Sequence, residues 1–236
     1  SNPMGRTAVL PARRTHSNML RRTFIKTCAA LSLCAALPAM AFTEGTDFVA
    51  LEKPIADWQG SIVKIWSYDC PFCYKYDAGV DPKVLPAAEK ATGLPFRMIH
   101  LETKGKYGRA ASELLAVCEL RDKAAGKTVH DKESLYKKAK DAWYQAYHKK
   151  GERWASGEEA FLKTAFDATG ITAEDFAAQR KTDEVVKLAD SWKVSYDVAK
   201  IQGVPAYVVN GKWLVMTKSI RGFKGFESLL TELAAK

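Results

Sequence analysis

Apolar residues fall in short runs near both ends of the chain and at helical spacing through its middle. The stretch "DFVALEKP", residues 47–54, suits a short edge strand ended by Pro54. "SIVKIWS", residues 61–67, is an apolar run of strand length, rich in β-branched and aromatic residues. Pro71 then stands where the first turn of a helix tolerates it best. That helix runs toward Lys90, with interruptions near Pro82 and Pro86, and "PFRMIHL", residues 95–101, supplies the next strand.

From about Gly108 to Gln202 the period becomes helical. Ala111, Leu114, Leu115 and Cys118 share one face, as do Leu135, Ala139, Ala142, Trp143, Ala146 and Tyr147. Phe161, Leu162, Ala165 and Phe166 mark a third helix, and Thr172 opens a short fourth. Val185, Leu188, Ala189, Trp192 and Tyr196 predict one longer fifth. "GVPAYVVNGKWLVMT" then reads as two strands around Asn210-Gly211, a pair that accepts the positive φ of a tight turn. Phe226, Leu229, Leu230 and Leu233 close the chain on an amphipathic helix. Strand–helix–strand, a block of helices, then a hairpin and a helix predicts an α/β fold: a mixed sheet carrying a helical insertion.

Charge changes this picture only at the start of the chain. The net charge of +9 suggests a nucleic-acid partner until its position is examined. Residues 1–41 hold six basic residues and no acid, and the remainder carries 30 basic against 27 acidic side chains. No nucleic-acid partner is expected. Arg21 and Arg22, the mildly apolar "FIKTCAALSLCAAL" and the small-residue exit "AMA" read as a signal peptide over residues 1–41. The apolar run is too short for a good membrane span, so the processed chain, beginning near Phe42, is expected not to cross a membrane. Export implies an oxidising compartment. Cys28 and Cys34 leave with the leader; Cys70, Cys73 and Cys118 remain.

The chemistry centres on "SYDCPFCYKY", residues 67–76. A structural zinc site wants four ligands, but there is no second CxxC, and His100, His130 and His148 lack ligand spacing. No metal or cofactor is expected. A purely structural disulfide closing a two-residue loop would remove little unfolded-state entropy. Redox chemistry fits better. A cysteine at a helix N-terminus meets unpaired N–H groups and the positive end of the dipole, which favour thiolate. Cys70 is then the exposed attacked sulfur, and Cys73, one turn further in, the resolving one. Cys118, among apolar helix neighbours, reads as a buried, inert thiol.

"SYDCPFCYKY" together with "GVPAYVVNGKW" resembles the DsbA family of periplasmic thiol oxidants; "HLETKGKYG", "AWYQAYHKKGERW" and "VAKIQGVPAYVVNG" extend the likeness to a specialised branch of it. The resemblance implies a thioredoxin-like domain over residues 42–104 and 184–236, with an all-α insertion over residues 105–183. It implies a cis Val204–Pro205 bond facing the CxxC, where Val204 and Pro205 bind substrate. The Cys70–Cys73 disulfide would pass to reduced substrate proteins, among them an arylsulfate sulfotransferase. A DsbB- or DsbI-like membrane quinone reductase would restore it. A CPFC centre by itself also allows a glutaredoxin-like or isomerase enzyme working in the reducing direction, and a redox-inactive chaperone module is the third class.

Three residues are expected to adjust the centre. Pro71 and Phe72 lie between the cysteines, and Phe72 stands where DsbA itself carries histidine. Lys64 interrupts the apolar run "IVKIW", on the strand face of Ile62 and Trp66. A lysine snorkelling from a solvated strand is the plain alternative. The strand that carries a CxxC is normally central, which favours a partly buried lysine acting on the thiolate. Asp69, beside Cys70, would oppose thiolate formation if its carboxylate pointed inward.

Overall fold

The computed structural model describes residues 42–236; the leader, with Arg21, Arg22, Cys28 and Cys34, lies outside the described residues. Strands β1 (Phe48–Ala50), β2 (Ile62–Trp66), β3 (Phe96–His100), β4 (Ala206–Val209) and β5 (Trp213–Val215) form one sheet in the order β1-β5-β4-β2-β3. β2 runs parallel to β3 and antiparallel to β4, so the strand leading into the CxxC is interior, and every residue of it is buried. The hairpin turn forms as its sequence requires: Asn210 and Gly211 have φ of 54° and 65°.

Helices cover both faces. On one, α2 (Asp81–Thr92) and α9 (Gly222–Ala234) bury Val84, Leu85, Phe226 and Leu230 against Ile62, Tyr207 and Val209. On the other, Val63, Ile65 and Val208 meet a core built from α3 (Gly108–Ala124), α4 (Leu135–Tyr144), α5 (Glu158–Thr169), α6 (Ala173–Gln179) and α7 (Asp183–Ser191). Cys118 is a free thiol in that core, and burial pushes its pKa well up, in keeping with an inert group.

Two expectations about helices change. The helix after the CxxC has one break, not two: α1 (Pro71–Gly79) ends and α2 begins around Val80, ahead of Pro82. Pro82 sits in the first turn of α2, where its missing N–H is no loss. Pro86 lies inside α2 without ending it, because the buried face of Val84, Leu85 and Ala88 holds the helix to the sheet. The long fifth helix is also divided. α7 tightens into a 3₁₀ turn at Trp192–Val194 and restarts as α8 (Ser195–Gln202). The change of direction buries Trp192 and Val198 and leaves Tyr196 48% exposed.

His100, at the end of β3, is wholly buried against Trp66 and Tyr68. Burial pushes its pKa down to about 3, so the ring is neutral at physiological pH. The unfolded chain takes up that proton near pH 6.5. A folded pKa below the unfolded one contributes stability above pH 6.5 that is lost as pH falls toward 3. The expected slope is up to about 1.4 kcal/mol per pH unit. Urea unfolding between pH 7 and 4 should show His100→Gln flattening the curve by about one proton; parallel curves would show that His100 does not titrate on unfolding.

Candidate active site

Cys70 is the N-cap of α1, with extended φ and ψ of −86° and 113°, and its sulfur accepts a hydrogen bond from the Cys73 N–H at 3.1 Å. Pro71 occupies the first turn. The two sulfurs are joined as a disulfide. Sequence order of exposure holds only as a small difference: Cys70 is 3% exposed and Cys73 not at all. What distinguishes them is access. Cys70 lines an open groove of ≈ 450 Å³, with Phe72, Leu101, Lys104, Tyr196, Lys200 and Val204 among its walls, and Cys73 does not.

Across this groove the Val204–Pro205 bond is cis, and the Val204 carbonyl oxygen lies 3.6 Å from Cys70 Sγ. The backbone before β4 thus lies against the sulfur and forms one wall of the groove. Phe72 projects from the first turn of α1, 63% exposed, with the Lys75 ammonium 5.4 Å from its ring. The groove therefore joins apolar and cationic surface at Cys70 Sγ.

Lys64 is wholly buried behind the disulfide, contrary to the snorkelling alternative. Its ammonium donates to the Cys73 carbonyl at 3.3 Å and to Asp81 Oδ2 at 2.6 Å. Tyr207, the cross-strand neighbour of Lys64 on β4, donates its hydroxyl to the other carboxylate oxygen. Burial and the adjoining Asp81 together hold the Tyr207 hydroxyl well above its ordinary pKa. A charge so placed is tolerated in the interior because the ammonium meets two acceptors and each carboxylate oxygen meets a donor. The sequence indicated Lys64 but not Asp81. Asp81 follows a helix break whose position could not be read from two nearby prolines.

The loop between β2 and α1 is held from several sides. Asp69 turns to Ser67 Oγ (2.8 Å) and to the Lys104 ammonium (3.6 Å). Tyr68 is fixed by three groups. His100 Nε2 faces its N–H at 3.4 Å, His148 bonds its carbonyl at 2.8 Å, and its hydroxyl accepts from the Tyr107 N–H at 3.0 Å. Burial pushes the Tyr68 hydroxyl up to about 12, so it stays protonated. Within "AWYQAYHKKGERW" Trp143, Tyr144, Ala146 and Trp154 are core, as expected for the two tryptophans, Lys149 to Arg153 are exposed, and His148 reaches the active-site loop. No spacing rule for metal ligands or catalytic pairs could have found that contact. Among the described residues there is no cluster of histidine, cysteine and acidic side chains suited to a metal ion, nor a helix long and apolar enough to cross a membrane.

Residues 62–233 match a family model described as a DSBA-like thioredoxin domain. The thiol:disulfide interchange protein DsbL of Lelliottia amnigena is 52% identical over 211 residues, covering 87% of this chain and 94% of that protein. DsbL of Escherichia coli is 50% identical over 220 residues, covering 92% and 96%. The crystal structure of DsbL from Salmonella enterica serovar Typhimurium aligns with a TM-score of 0.77 at 50% identity, over 84% of this chain and 100% of that one. At this identity and coverage the chain belongs to the DsbA family of thiol:disulfide oxidoreductases, among relatives named DsbL.

Proposed function

We propose that the protein is a periplasmic oxidant that donates the Cys70–Cys73 disulfide to reduced substrate proteins. The observation that carries this reading is the placement of Cys70 Sγ. It caps a helix N-terminus, receives a backbone N–H and opens onto a groove beside a cis proline. A substrate thiolate attacks Cys70 Sγ and the bond to Cys73 breaks, leaving the electron pair on Cys73. A second substrate thiolate then attacks the substrate sulfur of the mixed disulfide and releases Cys70 as thiolate. The helix N-terminus stabilises that product, so the disulfide is readily given away.

Each neighbour has a part in this reading. Val204 and Pro205 hold the incoming segment, Pro71 starts the helix, and Phe72 adds apolar contact at the groove rim. Lys64 supplies positive charge behind Cys73, with Asp81 as its counter-ion. Helices within residues 105–183 act as an insertion domain that buttresses the active-site loop, while residues 42–104 and 184–236 form the thioredoxin-like domain. The leader directs export, and a DsbB- or DsbI-like membrane quinone reductase takes the electrons. An arylsulfate sulfotransferase is the client suggested by family resemblance. An enzyme of the reducing direction would instead sit near the glutathione couple, so the equilibrium constant with glutathione separates the two directions.

With Cys73 replaced by Ala and Cys70 first oxidised with glutathione disulfide, substrate thiols should displace glutathione. They should stay on Cys70 as mixed disulfides that Cys73 can no longer reverse, whereas Cys70→Ala should trap almost none. Non-reducing gels after acid quenching check this. Equal trapping by both variants would reverse or erase the assigned roles.

Lys64→Met removes the cation and leaves Asp81 buried without it. Folding stability should fall by about 3–5 kcal/mol, and Asp81→Asn added to the same chain should recover most of that loss. The thiolate absorbance of Cys70 should titrate roughly one pH unit higher in Lys64→Met, making the pair about 30 mV less oxidising. Titration curves that superimpose on the wild type would limit Lys64 to a structural part.

A further inference from the structure

His148 lies far from the CxxC in sequence, yet its ring touches the segment that carries Cys70. A π turn over Gln145–Lys149 follows α4, and the wider turn shifts the direction of the side chains after it. His148 emerges from this turn, stacks on Tyr74 at 5.0 Å with planes 2° apart, and bonds the Tyr68 carbonyl through Nε2 at 2.8 Å. A carbonyl only accepts, so Nε2 carries the hydrogen in either charge state. Tyr68 precedes Cys70 by two residues, at most about 7.6 Å between Cα atoms. His100 faces the opposite end of the same residue, its ring stacked on Tyr68. Two histidines from different elements thus clamp one peptide segment, but they differ in freedom to titrate. His100 is sealed in the core, whereas His148 is only half-buried.

We infer that His148 is a positioning residue for the loop bearing Cys70, and that its protonation makes the Cys70–Cys73 disulfide a stronger oxidant. The second half rests on the proposed role of the cysteine pair. Reduction brings two electrons from two thiols. One of their protons stays on Cys73, and the other is released when Cys70 remains thiolate. A new negative charge at Cys70 raises the proton affinity of His148, which takes up part of that proton. Reciprocally, the imidazolium stabilises the thiolate and so the reduced form.

The surroundings act on the charge of His148 in both directions. Burial holds His148 below the ordinary histidine range, while its bond to the Tyr68 carbonyl works in the other direction. Arg153 opposes its protonation and Asp69 favours it; Tyr74, Tyr144 and Tyr147 complete the shell with uncharged rings. His148 thereby offers this centre a titratable ring near the cysteine pair, although the CxxC itself holds Phe72.

The test is the equilibrium with reduced and oxidised glutathione, measured from pH 5 to pH 8 in wild type, His148→Gln and His148→Ala. Glutamine keeps an N–H for the Tyr68 carbonyl but cannot titrate. At pH 8 its constant should agree with wild type, while alanine, lacking the donor, should depart from both. At pH 5 wild type should favour the reduced protein by about two- to fivefold over glutamine, the effect of one added cation near the thiolate in a partly solvated site. NMR titration of the His148 ring should give a higher pKa in the reduced than in the oxidised protein. Superimposed profiles of wild type and glutamine, or a His148 titration indifferent to redox state, would overturn the coupling. Agreement of all three proteins at pH 8 would overturn the positioning role. If wild type itself failed to exchange with glutathione, the reading of the cysteine pair would fall instead.

Discussion

A sulfur that must serve both as half of a disulfide and as a thiolate needs hydrogen-bond donors that stay in place between the two states. Here the donor is backbone: the Cys73 N–H points at Cys70 Sγ from the first turn of α1. Its orientation is only as constant as the start of that helix. The protein anchors the helix start from both sides of its peptide chain. Behind it, Lys64 bonds the Cys73 carbonyl and is itself tied to Asp81, the first residue of the next helix. Ahead of it, the loop is pinned at Tyr68 by His100, His148 and Tyr107.

This arrangement explains why an ion pair is buried where apolar side chains would fill the space more cheaply. Continuum and experimental work on buried pairs gives little net stability for them. A lysine on an interior strand can nevertheless reach a helix carbonyl that a branched aliphatic chain could only pack against. Its counter-ion sits across the break between α1 and α2, so one pair couples the sheet to both helices.

Much of the fold was legible because its signals are local. The run 61–67, the Asn210-Gly211 turn and the apolar stripe of Phe226, Leu229, Leu230 and Leu233 each carry their own periodicity or turn chemistry. The CxxC was legible for the same reason, since proline after cysteine marks a helix start. Lys64 stood out as a charge inside an apolar strand. What escaped was set by tertiary packing. The division of the helix after Ser191 depends on where Trp192 and Val198 find cover, and Tyr196 turned to the groove although its spacing fitted the buried stripe. Asp81 and His148 look like ordinary polar residues of helices; only the approach of separate elements gives them their partners.

Under the proposed function, the same distinction separates groups that would set reactivity from groups that would meet a substrate. Behind the sulfur, Lys64, His100 and Cys73 are wholly buried, and His148 is half-buried. On the outer wall Phe72 and Tyr196 stand exposed and Lys104 and Lys200 line the opening. Substitution of Phe72, Tyr196 or Lys200 changes contact area and surface charge while leaving the hydrogen bonds around the sulfur intact, whereas Lys104 also pairs with Asp69 of the loop. Under the proposed function a client would be selected on the groove without resetting the helix start, whereas exchange of Lys64 or Asp81 would act on every client alike. Surface contacts of this kind are screened by salt, and buried pairs are screened much less, so the two sets of residues also answer differently to ionic strength.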